Sequence, residues 1–283
     1  MIHSISWLLE VGAASFLGGV LGAISGLGGG VVIVPVLTVF LRMPIQDAIG
    51  ASMISIIAVS SGAGSVYVKD RVTNIRIAMF LELSTALGAI FGAAVLTRLL
   101  NASALSVVFG AVLLLSLVPV VAKFGEELPA GVRNDPLAAR LRLNSSYFDH
   151  RLKREVKYQV TGIPQALGIM AAAGVISGLL GIGAGAMKVL AHEIFMKVPT
   201  KVSTATSNFM IGVTAASAAG VYLRRGLVLP YLVVPVATSV LLGAFLGAKI
   251  MERMSNANIR KVFAALMAVV GAQMVLRGLG IGF

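Results

Sequence analysis

Four ionisable side chains sit inside apolar stretches of this chain: Glu82, and a close set formed by Lys188, His192 and Glu193. A charged group within a membrane costs roughly 2.5 to 3.5 kcal/mol on insertion scales, so such residues are functional candidates by default. Lys188 and His192 are four residues apart and share a helical face. A cation at that place suits an anionic ligand, and an imidazole beside it can relay a proton. Glu82, His192 and Glu193 are therefore the proton-coupling candidates. Plainer roles stay open: Lys188 pairing with Glu193 or reaching to the interface, His192 donating to a carbonyl, and Glu82 making an interhelical hydrogen bond.

Lys188 lies one turn beyond a glycine cluster in ISGLLGIGAGAMKVL, residues 176–190, and this segment echoes ISGLGGGVVIVP at residues 24–35. Glycines dropped between short apolar stretches read as a broken helix, whose free backbone is tolerated only against a cavity or other protein. The helix that restarts after each break exposes unpaired N–H groups and the positive end of its dipole, about half a charge, which favours an anion. Ser25, Gly28, Gly29 and Gly30 in the first break, and Ser177, Gly181, Gly183 and Gly185 in the second, are the candidate binding residues. The next helix opens with STATSN at 203–208 and AIGASM at 48–53, so Thr206, Ser207, Asn208 and Ser52 are candidates to line a polar cavity or to act as interhelical glue. For Gly62, Gly88, Gly92, Gly243 and Gly247, close helix packing is the preferred reading.

The elements that must position these groups are hydrophobic helices. Of 283 residues 58% are hydrophobic and 12% charged, against about 25% charged in soluble domains. Long apolar segments run over residues 7–24, 48–68, 75–97, 102–122, 164–176, 203–223, 227–250 and 259–276, with short arms at 31–41 and 184–198. The net charge of +12 lies between these segments without aromatic interleaving, which excludes nucleic acid as a partner and points to the lipid bilayer. There is no cysteine, and no cofactor or metal motif. The first apolar segment lacks a basic leader and is expected to be retained.

One gapless offset of 155 residues relates the two halves: Gly28 with Gly183, Gly30 with Gly185, Pro44 with Pro199, Ser52 with Ser207 and Val66-Tyr67 with Val221-Tyr222. The chain therefore divides into a first transmembrane repeat (1–122), a connecting loop (123–160) and a second repeat (161–283). The expected fold is an all-α polytopic membrane protein of two inverted repeats, each a broken or re-entrant hairpin followed by three transmembrane helices. Under that topology 17 Lys/Arg fall on one side and 5 on the other, which puts the central loop in the cytoplasm and both termini outside. Arg224 and Arg225 on the outer side count against it. A single broken crossing per repeat gives a weaker split of 14 to 8.

SGLLGIGAGAMKVL with VPTKVSTATSNFMIGVTAA at 198–216, and SGLGGGVVIVPVL with MPIQDAIGAS in the first half, resemble the sulfite exporter TauE/SafE family. The likeness includes the central loop's YFDH and VKY elements. It implies a bacterial plasma-membrane carrier of small sulfur-containing anions, such as sulfite, thiosulfate, sulfoacetate or other organosulfonates, expected to export them. It also implies a substrate site around Ser25 to Gly30, Ser177 to Gly185, Lys188 and Thr206 to Asn208. Ala184 and Leu190 stand where the family favours Gly and Pro. An anion channel remains an alternative, and a homodimer is left open. An intramembrane enzyme fits less well, because His192-Glu193 is not followed by a second histidine at Met196, and no nucleotide-binding loop is present.

Overall fold

Lipid offers the backbone no hydrogen-bond partner, so an apolar chain must satisfy its N–H and C=O groups internally, and helices do this within one segment. The computed structural model describes residues 5–26, 28–96, 99–122, 129, 132 and 135–281. The expected boundary after residue 122, Arg98, Lys123 and Arg133 among the basic residues, and Leu27 of the first break lie outside them. The helices are α1 (Ile5–Ser25), α2 (Gly30–Pro35), α3 (Ile45–Lys69), α4 (Ile75–Phe91), α5 (Ala102–Ala122), α6 (Pro136–Arg140), α7 (Ile163–Leu180), α8 (Gly185–Leu190), α9 (Thr200–Arg224), α10 (Pro230–Arg253) and α11 (Asn256–Gly278). The protein is an all-α polytopic membrane protein: six of the described helices are long and apolar enough to cross a bilayer.

The helix α9 is not among those six, although it runs 25 residues. Its Ser, Thr and Asn residues lower its hydropathy, and all but Ser217 are buried in protein instead of facing lipid. Lipid-facing surfaces carry exposed leucines, with Leu87 and its counterpart Leu242 both 63% exposed. The first arm of the second repeat reaches Leu180, four residues past the expected end at 176, because Ser177 to Leu180 continue the helix up to Gly181.

Packing repeats itself with the halves exchanged. α1 lies on α10 as α7 lies on α4, α10 on α3 as α4 on α9, and α2 against α11 as α8 against α5. Backbones come close along the α4–α7 seam because a Cβ at Gly174 or Gly178 would meet the carbonyls of Thr85 or Ala89 at 2.0 and 1.9 Å. Gly243 serves the α1–α10 seam in the same way, as small residues do in membrane bundles. At the centre α3 crosses α9, where Ser60 donates to Phe209 O at 3.1 Å; to either side Gly50 on α3 abuts Leu227 just beyond the end of α9, and the Asn74 amide just beyond the end of α3 donates to Thr206 Oγ1 at 3.0 Å. Rising numbers from α3 to the start of α4 meet falling numbers from just past α9 back to its first turns, so α3 and α9 run antiparallel.

The connection between the halves is not all loop. Residues Ser145–Asp149 (β1) and Arg154–Tyr158 (β2) form an antiparallel hairpin with Tyr147 opposite Val156. Asn74 at the start of α4 donates from Nδ2 to Leu143 O (2.8 Å) and to the Tyr158 hydroxyl (2.9 Å), and Lys201 at the start of α9 donates to Asp149 Oδ1 (2.9 Å). Burial pushes the Tyr158 hydroxyl up to about 12, against the lowering effect of its Asn74 and Ser145 hydrogen bonds. The hairpin thus ties one helix start from each half.

Candidate functional site

Each glycine break is a hairpin tip. A Cβ at Gly18 would touch Ile33 and one at Gly22 would touch the Gly29 backbone, so α2 turns back along α1. The reversal needs left-handed backbone: Gly26, Gly28 and Gly29 have φ of 75°, 81° and 67°, and in the second break Gly181 and Gly183 are both at 68°. Ala184 is also left-handed, at φ 52°, where a side chain is strained. After each break the short helix continues into a π-helical turn, Val36–Phe40 after α2 and Ala191–Phe195 after α8, at positions 155 residues apart. The second turn carries His192 and Glu193.

The two tips touch. A Cβ at Gly30 would lie 2.6 Å from Gly181 O, and the space around Gly28 and Gly183 is filled by Ile56 and Ile211, which are themselves repeat equivalents. Ser52 donates to Gly181 O at 2.6 Å, and Ser207 donates to Gly26 O at 3.0 Å and, more weakly, to Gly185 O at 3.4 Å. Within each half, Tyr67 donates to Ala23 O at 3.1 Å and Tyr222 to Gly178 O at 2.6 Å. Several of the expected hydroxyl donors are therefore engaged with backbone. Ser25 bonds Leu21 O at 2.6 Å, Thr206 accepts from Asn74, and the Asn208 amide donates to Ala23 O at 2.9 Å. Ser177 Oγ and Asn208 Oδ1 are buried without a partner.

The buried charges come together on one side of the tips. Lys188 is fully buried, and its ammonium lies 3.1 Å from Glu82 Oε2 on α4. The Thr214 hydroxyl on α9 donates to Glu82 Oε1 at 2.5 Å and accepts from Lys188 Nζ, so three side chains from three helices close a ring. Neither Thr214 nor this pairing is apparent from the sequence. His192, one turn past Lys188, is fully buried with its imidazole beside the Ser203 backbone, and neither ring nitrogen completes a hydrogen bond. The hydroxyls of Thr200 and Thr204 on α9 are likewise buried and unpartnered. Glu193 is partly buried. The second half thus holds a buried cation paired with a carboxylate from the first half and, beside it, unpartnered polar atoms able to take water or a proton.

Among the described residues no group of three His, Asp or Glu side chains is placed to hold a metal.

A family model described as sulfite exporter TauE/SafE matches residues 11–274. The chain is 26% identical over 270 residues to the probable membrane transporter protein YunE of Bacillus subtilis (strain 168), covering 93% of this chain and 95% of that protein. It is also 26% identical over 257 residues to the probable membrane transporter protein YdhB of the same organism, covering 90% and 95%. No solved structure matches the chain. A matched model spanning nearly all of a multi-helix membrane chain, with relatives aligned almost end to end, leads to one conclusion: the chain belongs to the sulfite exporter TauE/SafE family and is a membrane transporter.

Proposed function

We propose that this transporter is a secondary carrier that exports small sulfur-containing anions, with sulfite, thiosulfate, sulfoacetate or another organosulfonate as cargo. The observation that carries the reading is the fully buried Lys188 ammonium, held one turn beyond a helix break with Glu82 as its counter-charge. A site closed off from both sides suits alternating access, whereas a channel needs an open path. The repeats rock about the touching tips, with Ser25 to Gly30, Ser177 to Gly185, Ser52 and Thr206 to Asn208 shaping the space that opens. Glu82, His192 and Glu193 supply the protonatable groups for coupling. The antiparallel run of α3 and α9 supports an inverted relation between the two repeats, and the uneven Lys/Arg distribution supports a cytoplasmic hairpin with both termini outside.

The test is the thermal stability of purified protein with sulfite, thiosulfate, sulfoacetate, taurine and plain carboxylates. Sulfur oxyanions should raise the melting temperature of the wild type and leave Lys188→Ala unmoved. Stabilisation of Lys188→Ala equal to that of the wild type would remove Lys188 from the site.

A further inference from the structure

The repeat supplies an internal comparison for the charged ring. At the offset of 155 residues, Lys188, Thr214 and Glu82 correspond to Ile33, Val59 and Ala237. Ile33 and Val59 pack together at the first break, where a Cβ on Gly29 would meet Val59 at 3.0 Å and Ile33 at 3.6 Å. The fold therefore builds this corner from apolar residues at the first break and from an ion pair at the second. Replacing buried ion pairs by packed apolar groups is commonly neutral or stabilising, so the ring is not there to hold the helices together.

Its geometry suggests what it does. Both carboxylate oxygens of Glu82 are engaged, one by the ammonium and one by the Thr214 hydroxyl, the two donors that an oxyanion would use. We infer that Glu82 is a built-in stand-in for the cargo: its carboxylate and the transported anion take turns on Lys188 and Thr214, and Glu82 takes up one proton whenever the anion is bound. The inference rests on Lys188 being the anion site. In the exchange a proton from the aqueous phase binds a Glu82 oxygen, the carboxylate releases the ammonium, and Lys188, still protonated, receives an oxygen of the cargo. No bond within the cargo changes. The ring is neutral before the exchange, and it stays neutral only if the cargo carries a single negative charge, as a sulfonate head group does.

Few other groups bear on Glu82. α7, packed along α4, has no ionisable side chain. On α9 the charged groups are Lys201, held by Asp149 at the first turn, and Arg224 at the last, with Tyr222 bonded to Gly178 O. α8 and its π turn add His192 and Glu193 beside Lys188. α4 itself adds only Arg76, which donates to Arg142 O.

Methanesulfonate binding to purified protein from pH 5.5 to 8.5 tests this. One proton taken up per anion makes wild-type affinity fall about tenfold per pH unit above the titration of Glu82. Glu82→Gln, which removes the competing charge, should bind with pH-independent affinity at least equal to the wild type's best. Glu82→Gln that keeps the wild-type slope or loses binding overturns the inference while leaving the site assignment intact; Lys188→Ala that binds normally overturns the assignment itself. A second readout needs no variant: methanesulfonate entry into wild-type proteoliposomes should acidify the lumen and ignore a potassium diffusion potential, and anion entry without proton entry overturns the inference.

Discussion

Ser52 and Ser207, 155 residues apart, make the same hydrogen bond with the halves exchanged: Ser52 to Gly181 O at 2.6 Å, Ser207 to Gly26 O at 3.0 Å. Each hydroxyl satisfies a carbonyl that its own broken helix leaves free. Ser52→Ala and Ser207→Ala should each cost about 1 kcal/mol. That corresponds to a drop in melting temperature of about 2 to 4 °C. Thermal unfolding of the two variants checks this; a loss confined to one of them would mean the two tips are not held alike.

The contact between the tips is steric as well. Gly30→Ala drives a methyl into Gly181 O, Ser52 Oγ and Ile56 Cδ1, all within 2.7 Å; Gly181 O is backbone and cannot move without moving a tip, and Ser52 Oγ cannot turn aside without losing its hydrogen bond to it. It should cost about 1 to 3 kcal/mol, in the range of overpacked cores. Ala184→Gly relieves a left-handed alanine and should not lower the melting temperature. The pair of variants, measured side by side, separates crowding from backbone strain.

Much of this architecture is legible in the sequence, for physical reasons. Length and continuous hydrophobicity mark helices in lipid, and the glycine clusters mark the tips because few other residues adopt their backbone angles. The residues Glu82 and Lys188 stand out because charge in an apolar segment is costly. Their pairing across 106 positions does not, since it depends on how α4 and α8 meet in space. Thr214 looks like any helical threonine until it is aligned with Val59, where the apolar set Ile33, Val59 and Ala237 matches the polar set Lys188, Thr214 and Glu82. The hairpin was also within reach. SSYFD and REVKY alternate in burial, but the run of charges around them reads as loop. The π turns carry no signal in composition.

Asp149 fastens the hairpin to α9. Burial alone would raise its pKa, but the hydrogen bond from Lys201, the Leu152 and Arg151 amides and the Lys201 charge together hold it below the usual carboxylate value. A group lowered on folding stabilises the fold above its unfolded pKa and loses that contribution as pH falls through the folded one. Asp149→Asn should therefore loosen residues 145–158 at neutral pH by about 2 kcal/mol, and the difference from wild type should vanish in strong acid. Hydrogen exchange of the hairpin amides against pH measures it; equal exchange at pH 7 would contradict the assignment.

The central claim is that Lys188 holds the cargo during carriage. Its most direct test is counterflow in proteoliposomes preloaded with unlabelled sulfite or methanesulfonate, following entry of the labelled anion. The account predicts saturable counterflow with the wild type and at least a hundredfold loss with Lys188→Ala, the size expected when about 2.7 kcal/mol of charge-assisted binding is removed. Undiminished counterflow with Lys188→Ala, or flux through the wild type that never saturates, would contradict it.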